Sequence, residues 1–169
     1  NNIKSELLIY NKELNNTSVS FIQSDGETIE EGIIFVGADR IKIDYKAPKK
    51  LTFVLSQKKG MYVNHALKEV QYFDTKKNII KVFFKILTGN DFFESSDIQV
   101  LNKEILIEKY FKIDKNLYKT QIIYENNPLK LRKIKVLENN NILEVGFFNH
   151  NNLKVLKRNF FSLINPYLN

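Results

Sequence analysis

Apolar residues fall at every second position through most of this chain. In "RIKIDYKAP" (40–48), Ile41, Ile43 and Tyr45 lie on one side and Arg40, Lys42, Asp44 and Lys46 on the other, and Pro48 stops the run. A strand of this kind has one dry face and one wet face. The same period runs through "SVSFIQ", "TIEEGIIFVG", "LTFVLS", "MYVN" and "KEVQYF". It returns after a break in "IQVLN", "EILIEKYFKID", "KTQIIYEN", "LKLRKIKVLEN", "NILEVGFFNH" and "LKVLKRNFFSLI". The turns between runs are short and polar. "SDGE" carries Asp25-Gly26, and "KNLY", "ENNP", "ENNN" and "NHNN" are rich in Asn, which tolerates the left-handed backbone of tight turns. Evenly spaced strands with such turns predict an antiparallel meander of about ten to eleven strands. A sheet that large must curl, split or close.

Two segments change the period to that of a helix. Ile3, Leu7, Tyr10 and Leu14 fall at three- and four-residue steps, and Asn15-Asn16 ends the segment. In "TKKNIIKVFFKILTG" (75–89), Ile79, Ile80, Phe83, Phe84 and Leu87 form an apolar stripe opposite Lys76, Lys77, Lys81 and Lys85. Asp74 or Thr75 suits its start and Gly89 its end. This Phe-rich helix is the obvious cover for a concave sheet. "GNDFFESSD" after it reads as a loop.

The 169 residues fit one domain, 1–169, with no Pro/Gly/Ser linker. A formal charge of +7 leaves anionic partners open, but the lysines are scattered and read as a solvated surface rather than a nucleic-acid site. There is no cysteine, which excludes disulfides, thiolate metal sites and thiol catalysis. No apolar run approaches the ~18 residues of a membrane span, so no stable membrane insertion is expected. The opening "NNIKSELL" has no signal-peptide pattern and reads as the start of a processed or trimmed chain.

Catalytic patterns are missing. His65 with Glu69 lacks the further ligands a metal needs, and His150 in "NHNN" is expected to be solvated. Neither GxGxxG nor GxxxxGK occurs, and no Ser sits in a nucleophile elbow. Glu30-Glu31 and Glu104/Glu108 read as surface charge. The sequons at Asn15 and Asn16 read as chance. No enzyme activity, metal or cofactor is expected.

Several motifs, taken in order, resemble the LolA-type lipoprotein carriers of Gram-negative bacteria. "SFIQ" (Phe21, Gln23) stands where the family has an F-T-Q strand, and Glu31-Gly32 at its polar-Gly strand start. "IKIDYKAP" matches a strand with Tyr45 and Pro48 at the family's spacing, and "LTFVLS" follows it. "MYVNHALKEVQYF" is similar to the next segment through Tyr62, Asn64, Leu67 and Val70, and "FFSLINP" to the Phe-rich close. The layout spans most of the chain, and the residue match is confined to its first half. Departures are Gly37-Ala38 for an Arg-Pro turn, with Arg40 further on, Ile43 for a Trp, and Gln57-Lys58-Lys59-Gly60 for an Asp-Gly turn. In the family that Arg ties the lid helix down.

The resemblance implies an incomplete, half-open antiparallel β-barrel whose N-terminal helix and lid helix cover a hydrophobic cavity. It implies a monomeric periplasmic chaperone for acylated lipoproteins, loaded by an inner-membrane lipoprotein-releasing ABC transporter and unloaded to an outer-membrane receptor. Nucleic acid is not among the implied partners. The expected cavity wall is Ile41, Ile43, Tyr45, Leu51, Phe53 and Leu55, and the expected lid face is Ile79, Ile80, Phe83, Phe84 and Leu87. The alternatives are a LolB-like outer-membrane receptor and a lipid-sensing regulatory module of the same fold.

Overall fold

The computed structural model describes residues 2–89, 91–153 and 155–168. Helix α1 (Asn2–Glu13) comes first. Strands β1 (Thr17–Ser24), β2 (Ile29–Val36), β3 (Ile41–Ala47), β4 (Leu51–Leu55), β5 (Lys59–Asn64) and β6 (Glu69–Asp74) follow. A 3-10 turn (Thr75–Lys77) leads into α2 (Ile80–Thr88). Then come β7 (Asp97–Val100), β8 (Glu104–Ile113), β9 (Asn116–Glu125), β10 (Lys130–Glu138) and β11 (Asn141–Asn152).

Among the described residues these strands form one antiparallel sheet of eleven, in the order β6-β5-β4-β3-β2-β1-β11-β10-β9-β8-β7. All neighbours but one are consecutive in sequence. The exception is β1 with β11, paired from Thr17↔Asn152 to Ser24↔Glu144. The chain therefore runs outward from β1 to one edge, crosses by α2, and returns from the other edge to β11. The sheet stays open, and the connection between its two edges is the helix.

Alternation sets the inner face. Ile43 of β3 lies opposite Ile34 of β2 and Phe53 of β4, and all three belong to the main apolar cluster or pack on it. The turns use left-handed Asn as the sequence predicts: Asn16, Asn127 and Asn139 have positive φ. Asn149 does too, within β11, beside the register shift between Ser18 and Ser20 of β1. Asp25 Oδ1 accepts the N–H groups of Glu27 and Thr28 at 2.9 Å each, which fixes the β1–β2 loop. At Gly60, opposite Phe73 in the β5–β6 pair, a Cβ would sit 2.3 Å from the Phe73 ring, so only glycine leaves room for that ring on the inner face.

Three expectations need correction. The stripe 75–89 is one 3-10 turn and a shorter helix, with Asn78 Oδ1 accepting the Ile80 N–H at 3.0 Å between them. His150 is neither in a turn nor solvated. It is a half-buried residue of β11 whose Nε2 lies 2.9 Å from the Leu131 carbonyl, and burial lowers its pKa. "LKVLKRNFFSLI" is not a closing strand. β11 stops at Asn152, Lys154 lies outside the described residues, and Arg158–Phe161 is a 3-10 turn.

That C-terminal segment runs over the outer face of the first half-sheet. Phe161 joins Val54, Met61 and Val63 in a second apolar cluster, and Phe160 packs edge-on against Phe35. Four outward apolar side chains on a strand face need such a cover. Polar contacts fasten it: Arg40 Nη1 donates to the Phe161 carbonyl at 2.9 Å, and the Tyr72 hydroxyl to the Leu163 carbonyl at 2.8 Å. Arg40 therefore holds this strap and not the lid.

Candidate functional site

On the inner face, between the first half-sheet and the start of α2, lies an apolar cavity of about 210 Å³. Strand β1 contributes Phe21 and Gln23, β2 Ile34, β3 Ile43 and Tyr45, β4 Phe53, and β11 Leu143 and Val145. Asn78, Ile79, Ile80 and Phe83 close it from the helix side. Gln23 and Tyr45 satisfy one another: the phenol donates to Gln23 Oε1 at 2.8 Å. Burial, reinforced by the Glu30 carboxylate, pushes the Tyr45 pKa up to about 12, so this wall is uncharged at neutral pH. Tyr45 also packs edge-on against Phe21 and Phe53, which holds both rings against the wall.

The residues expected from sequence divide into three groups. Ile43, Tyr45 and Phe53 meet at the cavity, as do Ile79, Ile80 and Phe83. Ile41, Leu55 and Leu87 sit in the buried core, the first two with no exposed surface. Leu51 is half-buried opposite Tyr45, and Phe84 is buried in the core while bordering the groove beside Lys81 and Lys85. Sequence reasoning missed Phe21, Ile34, Leu143 and Val145. The alternation of β1, β2 and β11 marks these as dry positions, but only the β1–β11 pairing brings the last two to the site.

The helix that closes the cavity is held unevenly. Its last turn carries Ile86 and Leu87, both buried, and Asn11 Nδ2 of α1 donates to the Ile86 carbonyl at 3.0 Å. At its start Ile79 and Ile80 are half-buried while Val82 and Phe83 are buried, and no acidic side chain complements the helix dipole. The bond from α1 thus lies at the end of α2 away from the cavity.

A wider groove of about 550 Å³ lies outside α2, lined by Phe84 with Lys76, Lys81, Lys85, Asp39 and Asp91 among others. Its charged walls cannot shelter hydrocarbon, so the smaller cavity is the candidate site. Among the described residues no group of His, Asp and Glu could hold a metal ion. No helix there is long and apolar enough to cross a membrane.

No protein-family model matches the chain, and no curated protein matches it in sequence. Solved structures do match in fold. An uncharacterized conserved protein from Thermus thermophilus superposes with a TM-score of 0.62 at 7% identity, over 99% of this chain and 96% of that one. The MucA/MucB complex of Pseudomonas aeruginosa gives 0.55 at 9% identity, over 95% of this chain and 59% of that one. MucB alone gives 0.54 at 9% identity, over 95% and 62%. The chain thus spans about three-fifths of the MucB chains that it matches. At these identities the likeness is one of fold.

Proposed function

We propose that this chain is a non-enzymatic carrier that takes acyl chains of lipid-anchored proteins into the cavity beneath α2, as the LolA-type carriers that it resembles do. The observation that carries the reading is an apolar cavity covered by the start of an amphipathic helix whose hydrogen bond to α1 lies at its other end. Exposing one acyl methylene to water costs about 0.8 kcal/mol. A diacylated protein therefore cannot leave a membrane unaided, and a carrier must offer comparable dry surface. The partly open cavity of about 210 Å³ corresponds to roughly seven water volumes of about 30 Å³ each. Accommodating a whole chain therefore needs the start of α2 to lift. Lifting exposes Ile79, Ile80 and Phe83, and the return of these side chains competes with cargo. Affinity is thereby limited, as release requires.

In this reading the chain works in the periplasm, between an inner-membrane ABC transporter and an outer-membrane receptor. Titration with a dansylated or acylated peptide tests it. Saturable binding is expected, and Phe83→Glu should weaken it about tenfold or more, since a carboxylate in a dry site is costly. No saturable binding by the wild-type chain refutes the reading.

A second reading is a lipid-sensing module that regulates a protein partner, and the likeness to MucB, solved in complex with MucA, favours it. It would require a protein partner whose affinity changes when the acylated peptide is bound. A carrier would instead pass the peptide on to acceptor vesicles or a receptor.

A further inference from the structure

We propose that β7, the outermost strand on one side of the sheet, pairs antiparallel with the β7 of a second copy of this chain, across a two-fold axis at Gln99. β7 (Asp97–Val100) ends the strand order, and β8 is its only strand neighbour among the described residues. Such an edge presents a row of backbone donors and acceptors. Successive residues of an antiparallel strand turn their N–H and C=O groups to opposite sides. The Leu101 N–H donates to the Glu104 carbonyl at 2.8 Å. Residues 97, 99 and 101 therefore bond to β8, and the N–H and C=O groups of Ile98 and Val100 face outward.

A second copy satisfies these groups in one register. Ile98 lies opposite the partner's Val100, Gln99 opposite the partner's Gln99, and Val100 opposite the partner's Ile98. Each Ile98–Val100 pair then exchanges both of its bonds, and all the outward groups are used. A slip by one residue would set them against groups already bonded to β8. A slip by two would leave part of them unpaired.

The side chains fit the same register. Ile98 and Val100 pair with Ile107 and Ile105 of β8, both fully buried on the inner face. Val100 is nonetheless 57% exposed, and the partner's Ile98 would cover it. On the outer face Asp97 comes opposite the partner's Leu101, with the partner's Lys103 next on that side. The Asn126 N–H donates to the Lys103 carbonyl at 2.9 Å, which fixes the turn that carries this lysine. Neither Asp97 nor Lys103 has an ion-pair partner within its own chain among the described residues. The other acids nearby lie off the seam. Glu104 and Glu108 are one strand further in, on β8, where Lys119 pairs with Glu108 at 3.0 Å. Glu94 precedes Ser95, whose positive φ turns the chain out of the line of the strand.

Charge at the two ends of the strand decides the occupant. β7 starts on an acid and is followed, just past its end, by a lysine, so an antiparallel copy brings unlike charges together at both ends of the seam. The opposite edge, β6, has Glu69 at its start and Asp74 at its end, so a copy laid antiparallel on it would bring acid beside acid. Association through β7 therefore closes at two chains. This departs from the monomer that the resemblance to the carriers implies. It involves no cavity residue and so is independent of what the cavity takes.

Sedimentation equilibrium of the full chain over a concentration series tests it. The mass is expected to rise from 19.9 kDa toward twice that value. Val100→Pro removes an outward N–H and leaves the bonds between β7 and β8 in place, and should weaken association about tenfold or more. Asp97→Lys sets a lysine against the partner's Lys103 and should weaken association about fivefold. Adding Lys103→Glu to that variant should restore it. Asp97 and Lys103 are exposed, so the charge variants should unfold at the wild-type temperature. Cross-linking reads the register directly, because the chain has no cysteine. Gln99→Cys should form a covalent dimer on mild oxidation, since side chains opposite one another in a non-hydrogen-bonded pair come within disulfide reach. Gln71→Cys, exposed on the opposite edge, should not. The proposal is overturned if the wild-type chain stays at 19.9 kDa at every concentration, or if Val100→Pro or Asp97→Lys associates as tightly as wild type. Failure of Lys103→Glu to restore association, or cross-linking of Gln71→Cys as readily as Gln99→Cys, overturns it as well.

Discussion

Strands β1–β6 and β7–β11 each offer an apolar inner face, but they are filled differently. Beneath the second half-sheet Phe92 and Phe93 of the loop after α2 are buried, Phe92 stacks on Phe111, and Tyr10 of α1 meets the fully buried Tyr124 edge-on. Lys109 reaches from β8 to the carbonyls of Phe92 and Glu94, both at 2.9 Å, and pins that loop down. Beneath the first half-sheet the described residues supply no such plug, and the first turn of a short helix covers the space. One half is built as a core and the other keeps a cavity. The difference lies in what the loops bring and not in the strands, whose alternation is the same.

The largest expected effect tests the filled half. Ile122→Ala removes a side chain with no exposed surface and should cost about 2–5 kcal/mol in urea denaturation, whereas Ile43→Ala, beside existing space, should cost distinctly less. Equal costs would erase the comparison. Next is Val145→Phe, which extends into the cavity. It should lower acyl-peptide affinity about tenfold while changing stability by less than about 1.5 kcal/mol. Asn11→Ala removes the bond that anchors the end of α2. It should cost about 1–2 kcal/mol and speed amide exchange through α2.

A smaller effect comes from titration. His150 has a pKa held below 6.5 by burial, so its neutral form is favoured in the fold and the unfolded chain binds more protons. Its contribution is complete above pH 6.5 and is lost as the pH falls through the lowered value. Replacing it with Gln should flatten the acid side of the stability profile, with cavity binding unaltered. The smallest effect concerns the strap. Arg40→Ala should speed proteolysis between 153 and 168 and leave acyl-peptide affinity unchanged, because Arg40 touches Phe161 and not α2.

The same contrast marks how far the sequence could be read. The open antiparallel sheet of eleven strands and two helices follows from period and turn chemistry, since alternation is local. Ile43, Tyr45 and Phe53 sit where their parity puts them, on the inner face. Ile41 and Leu55 share that parity but lie deeper, because parity gives a face and not a depth. Leu143 and Val145 depend on β1 meeting β11 across more than a hundred residues, which no local pattern encodes. The tail misled for a related reason: "NFFSLI" is apolar enough for a strand, yet its Phe pair is used to cover Val54, Met61 and Val63 from outside.

The central claim is that the first turn of α2 lifts for cargo while its last turn stays. The chain has no cysteine, so two can be introduced and spin-labelled without interference. Electron–electron distances would be measured from Glu31→Cys, exposed on β2, to Lys81→Cys and, separately, from Glu31→Cys to Thr88→Cys, with and without acylated peptide. The account predicts a longer Lys81 distance on binding and an unchanged Thr88 distance. Saturating peptide that leaves both distances unchanged, or moves both alike, would contradict it.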